Sequence, residues 1–116
     1  MIGFLKKFFV IKTSEFEAKL RPTPECTFGG VGEIEVSMFS DERIQLELSL
    51  KHSGVPDGAR LDFYSGRELL GTVSAQGGYA KSYDKIMDRT LDIANGSPAE
   101  LRIDGVTLYR GEFRPD

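Results

Sequence analysis

The stretch RIQLELSLKH at residues 43–52 alternates without a break, with Ile44, Leu46, Leu48 and Leu50 apolar and Gln45, Glu47, Ser49 and Lys51 polar. A period of two sorts these residues onto two faces only in an extended strand, one face in a core and the other toward water. Any fold for this chain must therefore give 43–52 a sheet with one covered side.

The same period recurs on both sides of it. EFEAKLR at 15–21 turns Phe16, Ala18 and Leu20 inward and stops at Pro22 and Pro24, which cannot donate to a ladder. GGVGEIEVSMF at 29–39 places Ile34, Val36 and Met38 on one face, and SDER at 40–43 reads as a turn. Residues 33–51 thus form a β-hairpin. SGVPDG at 53–58 is a Pro-led turn into ARLDFYS, with Leu61 and Phe63 inward, and Gly66 ends that strand. RELLGTVSA at 67–75 puts Leu69 and Val73 on one face and Leu70 on the other, before a turn at Gln76, Gly77 and Gly78. AELRID and VTLYRGEF flank Asp104-Gly105, a pair suited to a two-residue type I′ turn.

YAKSYDKIMDRTLDI at 79–93 is ambiguous. Tyr83, Ile86, Met87 and Leu91 fit a helical stripe, while a strand followed by a crossing loop fits equally well. Turn residues about every ten positions predict an all-β chain, an antiparallel β-sandwich of Ig-like or Greek-key type with seven or eight strands. At 116 residues the chain holds one core. The expected division is an N-terminal apolar and basic segment at 1–13, one domain at 14–114 and a two-residue tail at 115–116.

The net charge of −3 is uneven, because residues 1–12 carry Lys6, Lys7 and Lys12 and no acid, which leaves −6 for the remainder. An acidic body without a contiguous basic face argues against nucleic acid as a partner. The single cysteine, Cys26, points to a reducing, cytoplasmic setting.

The opening MIGFLKKFFVIK is too broken by lysines for a signal peptide and too short to span a bilayer. On a helical wheel Phe4, Phe8 and Ile11 form one column beside Ile2, Leu5 and Phe9, opposite Gly3, Lys6 and Lys7. That predicts a short basic amphipathic helix. Three uses compete: a buried strand or end cover for the fold itself, attachment to a membrane surface, and docking onto a partner or a second copy.

FEAKL with the Gly-rich entry into GVGEIEVS, then VPDGARLDFYSGRELLGTV, then AELRIDGVTLYRGEF resembles a small β-sandwich module of bacterial proteins, related in pattern to chordin-type (CHRD) domains. The resemblance covers roughly residues 14–114 and rests on turn glycines, a Pro-Asp-Gly and a closing Gly-x-Phe, which are structural features. Chordin-type modules commonly carry a His-x-His that LDFYSG at 61–66 lacks. The resemblance implies a noncatalytic domain used at surfaces or in assemblies.

Chemistry-bearing combinations are few. Cys26 and His52 are the only nucleophile–base pair of their kind, with His52 expected at a strand end and Cys26 as a small buried filler. Asp84, Asp88 and Asp92 recur every four residues, unlike the alternate spacing of calcium loops, and read as a solvated face. Glu33 and Glu35 are expected to lie exposed on a strand with ordinary carboxylate affinities for protons. Gly29, Gly30 and Gly32 precede a strand, whereas a phosphate cradle needs a helix.

No catalytic residue, cofactor or metal is expected. The preferred expectation is a noncatalytic interaction or structural module that self-associates or docks a protein partner through Ile2, Phe4, Leu5, Lys6, Lys7, Phe8 and Phe9. The second is peripheral membrane attachment through those residues, which would make a cytoplasmic protein membrane-associated. The third is small-ligand or carbohydrate binding on a face bearing Tyr64, Tyr79, Tyr83 and Tyr109.

Overall fold

The structure, a computed structural model, describes residues 10–87 and 91–116, apart from some side chains late in the sixth strand. Eight strands follow in chain order: β1 (Lys12–Pro22), β2 (Val31–Phe39), β3 (Ile44–Lys51), β4 (Arg60–Ser65), β5 (Glu68–Ser74), β6 (Ala80–Met87), β7 (Pro98–Ile103) and β8 (Val106–Pro115). All ladders are antiparallel, in the order β5-β4-β7-β8-β1-β2-β3-β6. The expected all-β antiparallel class is present. The two-layer sandwich is not clearly formed: one eight-stranded sheet curls around a single core and brings its edge strands β5 and β6 into contact without a ladder between them, nearer to a barrel. The N-terminal helix expectation lies outside the described residues.

The hairpin at 33–51 forms as the alternation requires. Ile34 faces Leu48, Val36 faces Leu46 and Met38 faces Ile44. Of these, all but Met38 are buried, and Leu50 is buried with them. Ala18 and Leu20 extend the same inner face through β1, and Leu61, Phe63, Leu101 and Phe113 complete it from the other side of the curl. Each large apolar side chain so removed from water contributes ~1.5–3 kcal/mol, so this inner face holds the register of the strands that carry it. Asp104 and Gly105 both take positive φ, 52° and 78°, and Ile103 pairs with Val106, the two-residue turn that Asp-Gly predicts.

Residues 79–93 resolve toward the strand reading, since β6 runs to Met87 and pairs with β3. The ladder shifts between Leu46 and Leu48, which face Lys85 and Ser82. One extra β6 residue is accommodated there, a bulge that breaks the period of two and mimics a helical stripe in the sequence. The described sheet runs from Lys12, which pairs with Phe39, to the C-terminal residues, where the Asp116 amide donates to the Glu15 carbonyl at 2.9 Å.

Candidate interaction face

The outer face of β1, β2, β3 and β6 is read most easily as rows, because residues paired across antiparallel strands share one side. At the end where the chain enters β1, between Phe39 and the row in which Gln45 faces Ile86, the face carries a largely apolar recess that reaches the buried Ile44. Val10, Phe39, Ile44 and Ile86 line this recess of about 160 Å³, with Arg43 and Gln45 also in its wall. Ile86 is 55% exposed and Ile11, beside Val10 in the chain, is 62% exposed. The Ile11 amide donates to Ser40 Oγ at 3.2 Å and its carbonyl accepts from the Ser40 amide at 2.9 Å, which pins the entering chain to the β2–β3 turn.

Beyond the Ser37–Gln45 pair, about 7 Å further along the strands, comes an acidic row. Glu17 faces Glu35 and Glu35 faces Glu47, with Glu33 adjacent on β2. One carboxylate oxygen each of Glu17, Glu33 and Glu35 lie within 4.8 Å of one another. Like charges directly opposite are unfavourable in a sheet, and proton affinities respond. A hydrogen bond with Glu33 pushes Glu35 up to about 7, helped by burial, by a hydrogen bond with Glu47 and by repulsion from both. Burial raises Glu17, with repulsion from Glu33 and Asp116, against the pull of Lys19. Glu47 moves the other way, held below the usual carboxylate range by Lys81 Nζ at 3.0 Å. The expectation of ordinary affinities at this pair is thus corrected at Glu35, because alternation put Glu35 outward while the neighbouring strands added acids on either side.

The three clustered carboxylates could each offer an oxygen to a hard cation, but calcium takes about 6–8 oxygens, so this set alone is an incomplete shell. On the other side of β1 a shallow depression of about 500 Å³ mixes Lys19, Arg21, Arg110 and Arg114 with Glu17 and Glu112. There Arg114 is paired with Glu112 at 2.6 Å and Arg110 reaches Glu100 at 3.7 Å, so charge is largely compensated locally. Its floor is set by Gly111, where a Cβ would collide with the Lys19 carbonyl.

The tyrosines expected to share a ligand face do not. Tyr109 is fully buried and its hydroxyl donates to the Gly29 carbonyl. The ladder between Leu101 and Arg102 faces Tyr109 and Thr107, leaving Leu108 as a bulge that turns Tyr109 into line with Leu101 and Phe63. Tyr64 lies under the Arg102 guanidinium at 4.1 Å, Tyr79 hydrogen-bonds His52 Nδ1 at 3.0 Å, and the Tyr83 side chain is outside the described set. Cys26 and His52 also part company, Cys26 interacting with Tyr109 and His52 with Tyr79. Of the aspartates, Asp88 and the Asp84 side chain lie outside the described residues, and Asp92 is exposed. Ile2, Phe4, Leu5, Lys6, Lys7, Phe8 and Phe9 lie outside them as well.

Fold and face together define a small, nearly closed antiparallel β-protein whose outer surface joins an apolar recess to an acidic row. No family model and no curated protein matches the chain. Among the described residues no helix is long and apolar enough to cross a membrane.

Proposed function

We propose that this chain is a noncatalytic β-module that self-associates, with the segment preceding Val10 as its contact element. The observation that carries this reading is the recess at the strand entry. Val10 supplies part of its wall, and Ile11 and Ile86 stand exposed beside it, so the described chain begins, directly after the apolar sequence 2–9, at an apolar surface that the other described residues leave open.

Membrane attachment gains less support. The acidic row faces the same way as the recess, and a body of charge −6 is repelled by the anionic headgroups that Lys6 and Lys7 would seek. The test is sedimentation velocity over a concentration series on the full chain and on a chain beginning at Val10. The full chain is expected to associate and the shortened one to stay folded by circular dichroism and monomeric. Equal association of the two, or an unfolded shortened chain, overturns the proposal.

A further inference from the structure

The recess and the acidic row are complementary to one peptide pattern, an aromatic or aliphatic anchor with lysines one step away. A cavity of about 150 Å³ lined by apolar side chains accepts a benzene ring, and the recess here is about 160 Å³. The carboxylates of Glu17, Glu35 and Glu47 lie about two rows from Phe39 on the same face, and among the described residues a lysine salt bridge reaches Glu47, from Lys81 at 3.0 Å. Segment 2–9 offers Ile2, Phe4, Leu5, Phe8 and Phe9 around Lys6 and Lys7. Extended, eight residues reach about 26 Å, enough to cover both rows, which lie about 14 Å apart along the strands.

The segment is poorly built to reach them on its own barrel. The chain is pinned at Ile11 by Ser40 and Val10 already stands at the recess, but the acidic row lies back along β1, so bringing Lys6 and Lys7 to it in the same copy needs a reversal of the chain. FLKKFFVI at 4–11 contains none of Gly, Pro, Asn, Asp or Ser, the residues whose backbone or side-chain chemistry makes tight reversals. A second copy needs no reversal. Two chains related by a two-fold axis can each lay the segment across the other's outer face, giving the self-complementary contact of an isologous dimer.

We infer that the outer face of β2, β3 and β6 is the acceptor for residues 4–9 of a second copy, an aromatic ring entering the recess lined by Phe39 and Ile86 while Lys6 and Lys7 meet Glu17, Glu35 and Glu47. This deepens the self-association reading and rests on it. The contact is reciprocal, so one substitution on the segment and one on the face weaken the same dimer.

The test measures the dimer dissociation constant by analytical ultracentrifugation for the full chain, for Ile86→Ser, and for the double substitution Lys6→Glu with Lys7→Glu. Ile86→Ser changes an exposed side chain of an edge strand, so it keeps the fold. Each variant is expected to weaken the dimer by about tenfold or more. Adding Glu17→Lys and Glu35→Lys to the lysine-reversed chain is expected to restore most of the loss, which a general change in net charge would not do. If removing residues 1–9 abolishes the dimer while Ile86→Ser and the lysine reversal leave it within about twofold, the segment docks elsewhere, and this inference fails while the self-association reading stands. A full chain that stays monomeric at every concentration overturns both. So does a monomer that pellets with phosphatidylserine vesicles, which would identify the membrane as the occupant.

Discussion

Replacing Glu35 by Gln should stabilise the folded chain at alkaline pH and do almost nothing in acid. In the unfolded chain this carboxyl has an ordinary affinity near 4.5, while in the folded chain Glu33 and its other neighbours raise it to about 7. Between those values the native state binds more protons than the unfolded one, so stability falls as pH rises, and the whole penalty is present above 7. At about 1.4 kcal/mol for each tenfold change in affinity the ceiling is about 3 kcal/mol. Glu35 is only half-buried, and solvent screening brings the expectation to ~1–2 kcal/mol.

Other groups on this face do not reverse that sign. Glu17, on β1, is raised and acts in the same direction. Glu47, on β3, is lowered by Lys81 of β6, so its contribution is lost only as pH falls below the ordinary carboxylate range. Urea unfolding at pH 8 and pH 4, at a protein concentration where wild type and variant have the same association state, measures the difference. Glu35→Gln should gain ~1–2 kcal/mol at pH 8 and less than ~0.5 kcal/mol at pH 4. An equal gain at both pH values, or a loss at pH 8, would refute the assignment of Glu35 as the strained member of the row.

Leu48→Ala empties a fully buried position in the middle of the sheet and should lower stability by ~2–5 kcal/mol in the same assay. Gly111→Ala should be more disruptive than its size suggests, by more than ~3 kcal/mol, because the new Cβ meets the Lys19 carbonyl and β1 must move away from β8. Tyr109→Phe keeps the buried ring but leaves the Gly29 carbonyl without this donor, a loss of ~1–2 kcal/mol by thermal or urea unfolding. An unchanged midpoint for Tyr109→Phe would mean that water replaces the hydroxyl there.

Much of the fold was legible because the alternating segments carry their own geometry. Residues 43–52 could be assigned a face residue by residue, and Asp104-Gly105 announced its turn. Two bulges hid the rest. The extra residue in β6 broke the alternation at 79–93, and the bulge at Leu108 put Tyr109 out of phase with Val106, so a period of two counted from Val106 and Leu108 puts that tyrosine outside while one counted back from Phe113 puts it inside. Sheet closure was hidden for a different reason: sandwich and barrel strands share the same alternation, and only the pairing of β8 with both β7 and β1 joins the two halves into one sheet.

The acidic row was hidden by distance along the chain. Glu17, Glu35 and Glu47 each look like ordinary outward positions, and only the register brings them opposite one another. That register is dictated from beneath. A one-residue slip would relieve the carboxylates but would turn Ile34, Val36, Leu46 and Leu48 toward water, and these are fully buried. Burial worth ~1.5–3 kcal/mol for each of them outweighs repulsion worth ~1–2 kcal/mol at Glu35. The strain therefore stays in the native state instead of selecting another pairing. It can be relieved by a proton on Glu35 or by an ammonium group brought to the row, and the two compete for the same oxygens. Association through Lys6 and Lys7 should accordingly strengthen as pH rises through about 7, the value to which Glu35 is raised, and Glu35→Gln should flatten that dependence while it stabilises the isolated fold. Dimer dissociation constants at pH 6 and pH 8 for both chains give the comparison; a wild-type dimer equally tight at both pH values would separate the acidic row from the contact.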